Sequence, residues 1–172
     1  MTDRMDRLWA GWRSSYVSGG SVERPVPPGD GSIFERILQS GWPDEETYVL
    51  WRGEHCASIL NVYPYGTGHL MVLPQSAVAD LLDLSTEAHA ELWEGVRMAV
   101  GAIRSAYTCD GINVGTNIGR AGGASIPDHL HVHCLPRWAG DTTFLTSIAE
   151  TRMLPEPLDE TWRKLRAAWP QP

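Results

Sequence analysis

His129, His131 and His133 alternate with apolar residues in the run His129-Leu130-His131-Val132-His133. On an extended chain successive side chains point to opposite faces, so this spacing gathers three imidazoles on one surface. Three uses of such a surface are open from the residues alone. It could be a polar strand face without chemistry, although keeping clustered imidazoles from water is costly. It could bind a metal, since imidazole suits zinc, copper, iron and nickel, with Asp128 and Asp141 as the nearest carboxylates. It could also attack phosphorus. A neutral imidazole is a nucleophile there if its second nitrogen donates to a fixed acceptor, commonly a backbone carbonyl. Flanking imidazoles could then hydrogen-bond phosphate oxygens and protonate the leaving group.

Two neighbouring features bear on that choice. Gly119-Arg120-Ala121-Gly122-Gly123-Ala124-Ser125 lies just before the histidine run. Glycines let main-chain N–H groups turn toward an anion, and Ser125 could add a hydroxyl donor. No Gly-Lys-Ser/Thr follows, so this is not a Walker loop. His69 follows the turn Pro64-Tyr65-Gly66-Thr67-Gly68, which is suited to the rim of a pocket.

The elements that position these groups read as an α+β chain. Ile33 to Leu38 suits a short helix ended by Gly41-Trp42-Pro43. Strands are expected at Tyr48 to Trp51, Cys56 to Tyr63, His69 to Leu73, Ile112 to Thr116 and His129 to Leu135. Ser85 is a good N-cap for one long helix, with Ala88, Leu92, Val96, Ala99 and Ile103 forming its apolar stripe. Leu158, Trp162, Leu165 and Trp169 mark a C-terminal helix. The expected organisation is an N-terminal extension over 1–31 and a single domain over 32–172. The extension holds the apolar cluster Leu8, Trp9, Trp12, Tyr16 and Val17, followed by a Gly/Ser/Pro-rich stretch.

At 172 residues the chain can bury one core, and 42% hydrophobic with 20% charged residues is ordinary for a globular protein. A net charge of −7 argues against binding duplex nucleic acid, which calls for a basic face. Cys56, Cys109 and Cys134 are odd in number and far apart, so they outline neither a disulfide framework nor a zinc ribbon. A cytoplasmic location is expected, with no membrane span and no signal peptide.

His129 to Leu135 resembles the signature of the histidine triad family, His-φ-His-φ-His-φ-φ. Gly68-His69-Leu70-Met71-Val72-Leu73-Pro74 is similar to that family's second landmark, and Gly122-Gly123-Ala124-Ser125 to its phosphate loop. The resemblance covers roughly 32–138. It implies an antiparallel sheet with one long helix, a homodimer, and nucleotidyl transfer through a nucleotidyl-histidine on His131. His133 would contact the scissile bridging oxygen, with His129 and His69 shaping the pocket. Asn61 falls where the family places a ribose-binding side chain, and Asn117 at a second polar position. The N-terminal Leu8 to Tyr16, the stretch Ile126 to Trp138 and Thr151 to Pro155 further resemble the bacterial branch that splits diadenosine tetraphosphate. There phosphate or water would be the acceptor, with phosphate favoured. Phosphoramidase activity and a non-catalytic nucleotide-binding regulatory role are the alternatives. Some relatives carry a zinc-binding Cys-x-x-Cys before the first strands. Ser32-Ile33-Phe34-Glu35 lacks both cysteines, so no metal and no cofactor is expected.

Overall fold

The structure, a computed structural model, describes residues 26–141 and 156–170. The apolar cluster expected near Trp9 and Trp12, and the stretch Thr151 to Pro155, lie outside the described residues.

Five antiparallel strands form one sheet in the order β1-β2-β3-β5-β4. They are β1 (Val49–Arg52), β2 (Cys56–Leu60), β3 (Leu70–Pro74), β4 (Gly111–Thr116) and β5 (Val132–Arg137). Helix α1 (Ile33–Leu38) is bounded as its pattern suggests, and Ser32 caps it. A short α2 (Asp44–Thr47) follows. The long helix α3 (Thr86–Ala106) starts where Ser85 accepts a hydrogen bond from the Ala88 amide. The C-terminal helix α4 (Leu158–Ala168) also matches its pattern.

The α3 stripe of Leu92, Val96, Ala99 and Ile103 is buried, joined by Gly95 and Ala102. Each fully buried leucine contributes about 1.5–3 kcal/mol of apolar burial. Gly95 permits the close approach: a Cβ there would stand 2.8 Å from Val72 Cγ1 and 3.0 Å from Trp51 Cζ3. Val72 therefore faces α3. Its register partner Val132 shares that face, as residues directly opposite on antiparallel strands do. The neighbouring pair Met71 and His133 consequently occupies the face opposite α3. The sheet separates the helix-packed core from the histidines.

Two strands differ from expectation. The strand expected to run from Cys56 to Tyr63 leaves the sheet after Leu60, where the Asn61 side chain takes the Tyr63 amide at 2.9 Å. The histidine run was read as a strand from His129, whereas β5 begins at Val132. The His129 amide instead reaches back to the Ile126 carbonyl, and the Leu130 amide bonds the Val78 carbonyl outside the sheet. The turn at Pro127 delays entry into the ladder by three residues. No described helix is long and apolar enough to cross a membrane.

Candidate active site

His133 lies within β5, between Met71 of β3 and Gly115 of β4 in register. His131 sits immediately before the strand, and His69 immediately before β3. Gly68 makes the latter position reachable. Its φ is +78°, and a Cβ would stand 2.8 Å from Pro136. The rings converge: centroids of His131 and His133 are 4.8 Å apart, and those of His69 and His133 are 5.0 Å apart. His69, His129 and His131 are buried, while His133 is half-buried.

The proton on each ring follows from partners that can only donate or only accept. His131 Nδ1 lies 2.8 Å from the His129 carbonyl, so that nitrogen carries the hydrogen and Nε2 keeps its lone pair. The His131 carbonyl in turn accepts from the Thr116 hydroxyl at 2.8 Å. His129 Nε2 lies 2.8 Å from the Pro74 carbonyl, so its hydrogen is on Nε2. Its Nδ1 then accepts from the Ser32 hydroxyl at 2.5 Å.

The second chain starts at the Tyr65 amide, which donates to His69 Nδ1 at 3.0 Å. His69 must then carry its hydrogen on Nε2, 2.9 Å from His133 Nδ1. His133 accepts there, which leaves its own hydrogen on Nε2. Burial, then the neighbouring His131, holds His133 down to about 4, and burial also depresses His129. Both are neutral at pH 7.

Three imidazoles therefore serve different ends. His131 offers a lone pair, His133 an N–H, and His129 a carbonyl and a structural ring. The Phe34 ring meets His129 and His131 edge-on at 5.3 and 5.4 Å. Tyr65 lies against His69 at 4.6 Å.

The polar residues singled out around the run are placed more loosely. Asn61 follows β2 directly, and its amide donates to the His69 carbonyl at 3.0 Å. Its side chain accepts from the Tyr63 amide at 2.9 Å. Asn117 follows β4 and reaches the Gly123 carbonyl at 3.5 Å. Gly122 ends a short 3-10 turn, and Gly123 adopts φ +92° after it. Ser125 lies exposed on the same loop. Ser32, Phe34, Tyr65 and Thr116 were not anticipated. Only Ser32 had a readable sign, the Ser-x-x-Glu pattern of a capping box.

The same geometry bears on zinc. The donors nearest His129 are already engaged. Ser32 Oγ bonds His129 Nδ1, His129 Nε2 bonds Pro74, and the Glu35 carboxylate accepts from the Ser32 and Ala77 amides at 2.9 Å each. These residues do not fit a zinc ion.

The fold and this arrangement of histidines define a known class: the HIT domain pattern matches residues 43–140, and the chain belongs to that family. It is 38% identical over 174 residues to an AP-4-A phosphorylase of Mycobacterium tuberculosis, covering 97% of this chain and 86% of that one. It is 33% identical over 93 residues to a bis(5'-nucleosyl)-tetraphosphatase (asymmetrical) of Schizosaccharomyces pombe, covering 54% of this chain and 50% of that one. A solved histidine triad nucleotide-binding protein from Sulfolobus tokodaii superposes with a TM-score of 0.64 at 29% identity, covering 80% and 91% of the two chains. A Zn-bound histidine triad family protein from Mycobacterium smegmatis gives 0.63 at 31% identity, covering 80% and 92%. The resemblance in the histidine run and the expected α+β architecture are both borne out.

Proposed function

We propose that the chain transfers a nucleoside monophosphate from a dinucleoside polyphosphate such as diadenosine tetraphosphate, through a covalent intermediate on His131, with phosphate as the favoured acceptor. The observation that carries this reading is the 2.8 Å bond from His131 Nδ1 to the His129 carbonyl, which leaves the Nε2 lone pair free on a ring whose centroid lies 4.8 Å from that of His133. The names of the M. tuberculosis and S. pombe relatives supply the substrate class.

In the first step His131 Nε2 attacks the α-phosphorus. A P–N bond forms, and the P–O bond to the departing nucleoside triphosphate breaks. His133 is neutral, so it serves that bridging oxygen as a hydrogen-bond donor; the departing triphosphate is a stable anion that needs no full proton. In the second step a phosphate oxygen attacks the same phosphorus and the P–N bond breaks, giving ADP and restoring His131. Splitting the transfer into two displacements lets one site serve both halves. Asn61 and Asn117 are assigned to the ribose and phosphate rims, with Gly122, Gly123 and Ser125 as the anion loop. Cys56, Cys109 and Cys134 are all unpaired, in keeping with a reducing cytoplasm. A second copy of the chain is the expected partner, through the exposed outer strand β4.

Product analysis tests the reading. Diadenosine tetraphosphate with phosphate should give ADP and ATP. AMP and ATP alone would make water the acceptor. Tight nucleotide binding without turnover, even with phosphate, would refute the catalytic reading and favour a regulatory module. Preferential cleavage of an adenosine phosphoramidate would refute the substrate assignment.

A further inference from the structure

Helix α1 is six residues long and distant in sequence from the histidine run, yet its first turn is tied to that run on several sides. Ser32 Oγ accepts the Glu35 amide at 3.2 Å and donates to His129 Nδ1 at 2.5 Å. One Glu35 oxygen accepts the Ser32 amide, and the other accepts the Ala77 amide just past β3, at 2.9 Å each. Those two amides, with a smaller contribution from His129, hold the Glu35 carboxyl below its ordinary value. Phe34, between the two residues, packs its edge on His129 and His131. The other ring nitrogen of His129 is fixed on the Pro74 carbonyl, the last residue of β3.

A capping box alone would satisfy α1 and need no histidine. Here the cap hydroxyl has a second partner in His129, and that partner's carbonyl orients His131. Ser32 and Glu35 also stand three residues apart, the spacing of the paired cysteines in zinc-binding relatives, where the donors of this chain do not fit zinc.

We infer that Ser32 and Glu35 are positioning residues for the transfer reaction: a metal-free brace that fixes the His129 tautomer and thereby aims the His129 carbonyl at His131 Nδ1. The brace rests on the proposed role of His131. A proton on His129 Nδ1 would lose the Ser32 acceptor, release the ring from Pro74 and let the His129 main chain shift. A small displacement there turns the His131 lone pair away from phosphorus, and misplacement on the scale of 1 Å costs about a hundredfold in rate.

The test pairs kinetics with histidine nitrogen NMR on the full chain. Ser32→Ala should lower kcat on diadenosine tetraphosphate tenfold or more with KM changed less than threefold, by roughly the misplacement argument. Its spectra should show His129 and His131 as tautomer mixtures, whereas the native chain shows His129 on Nε2 and His131 on Nδ1. Ser32→Thr, which keeps the hydroxyl, should restore both readouts. Ser85→Ala removes the equivalent cap of α3 and should lower stability without touching kcat. Native kcat and unmixed tautomers in Ser32→Ala would overturn the brace. So would one tightly held zinc per purified chain. Should Ser32→Ala not fold, Glu35→Gln carries the test, since one amide oxygen cannot serve both main-chain donors. Native tautomers and kcat in that variant would equally overturn the inference. A native chain that turns over no dinucleotide would refute the proposed function, while the tautomer readout still decides the brace.

Discussion

His69 Nε2 lies 2.9 Å from His133 Nδ1, and the main-chain amide of Tyr65 determines which of the two holds the hydrogen. An amide can only donate, so the assignment passes outward through His69 to the exposed edge of His133. A buried ring thus fixes the tautomer of its half-buried neighbour.

His69→Phe should therefore lower kcat by about tenfold to a thousandfold, since it leaves His133 without a donor on Nδ1 and free to present a bare nitrogen to the substrate. His69→Gln keeps an amide N–H near that position and should recover part of the loss. Steady-state kinetics on the two variants is sufficient, and a fully active His69→Phe would break the relay.

His131→Asn should abolish turnover while leaving nucleotide affinity within a few-fold, because it removes the nucleophile and little of the pocket. Intact-mass measurement after a rapid alkaline quench, which preserves the acid-labile P–N bond, should show one nucleoside monophosphate added to the native chain and none to the variant. Near-native activity in His131→Asn would eliminate the covalent route.

Acid should weaken the fold through the site. His133 is held down to about 4, against an ordinary 6.5, first by burial and then by His131. His129 is depressed too, chiefly by burial. Above pH 6.5 both rings are neutral whether the chain is folded or not, and they contribute no slope. Between 6.5 and 4 the unfolded chain binds protons that the native site refuses, so stability falls as pH falls. Urea unfolding at pH 6.5 and 5.0 should show this loss, and His133→Asn should reduce it. An unchanged slope in His133→Asn would place the acid sensitivity elsewhere.

Two glycines of α3 should respond in opposite directions to alanine. Gly95→Ala gains helix propensity of about 1 kcal/mol but drives a methyl against Val72, a stiff β-branched side chain. Overpacking of about 1–3 kcal/mol should win, giving a lower unfolding midpoint that Val72→Ala partly restores. At Gly101 a new Cβ meets only Pro170 Cγ at 3.9 Å. Gly101→Ala should raise stability by roughly 0.5–1 kcal/mol. Thermal or urea denaturation of both variants measures the contrast.

Much of this arrangement could be read from local pattern. The period of two gave the histidine run its common surface, Ser85 located the long helix, and Ile33 to Leu38 was bounded correctly. Where the reading failed, the cause was tertiary. Period two was extended back to His129, but the turn at Pro127 sends the Leu130 amide to Val78 instead of into the sheet. Ser32 advertised a helix cap, while its bond to His129 spans 97 positions and leaves no local trace. Thr116 carries no local sign of its role, because a strand-ending threonine looks like ordinary β composition. Its hydroxyl holds the His131 carbonyl only once β4 and β5 are paired.

The two margins of the sheet are not equivalent. Along β1, the Trp162 indole donates to the Val49 carbonyl at 3.0 Å and Arg166 to the Leu50 carbonyl at 3.1 Å. At the opposite margin β4 has β5 on one side and, among the described residues, no strand on the other. A ribbon blocked at one end can be lengthened only at the other. Two copies joined strand to strand through β4 would each spend their one open margin, and the assembly would end there. Among the described residues, an indole and a guanidinium are what close the β1 margin to further strands.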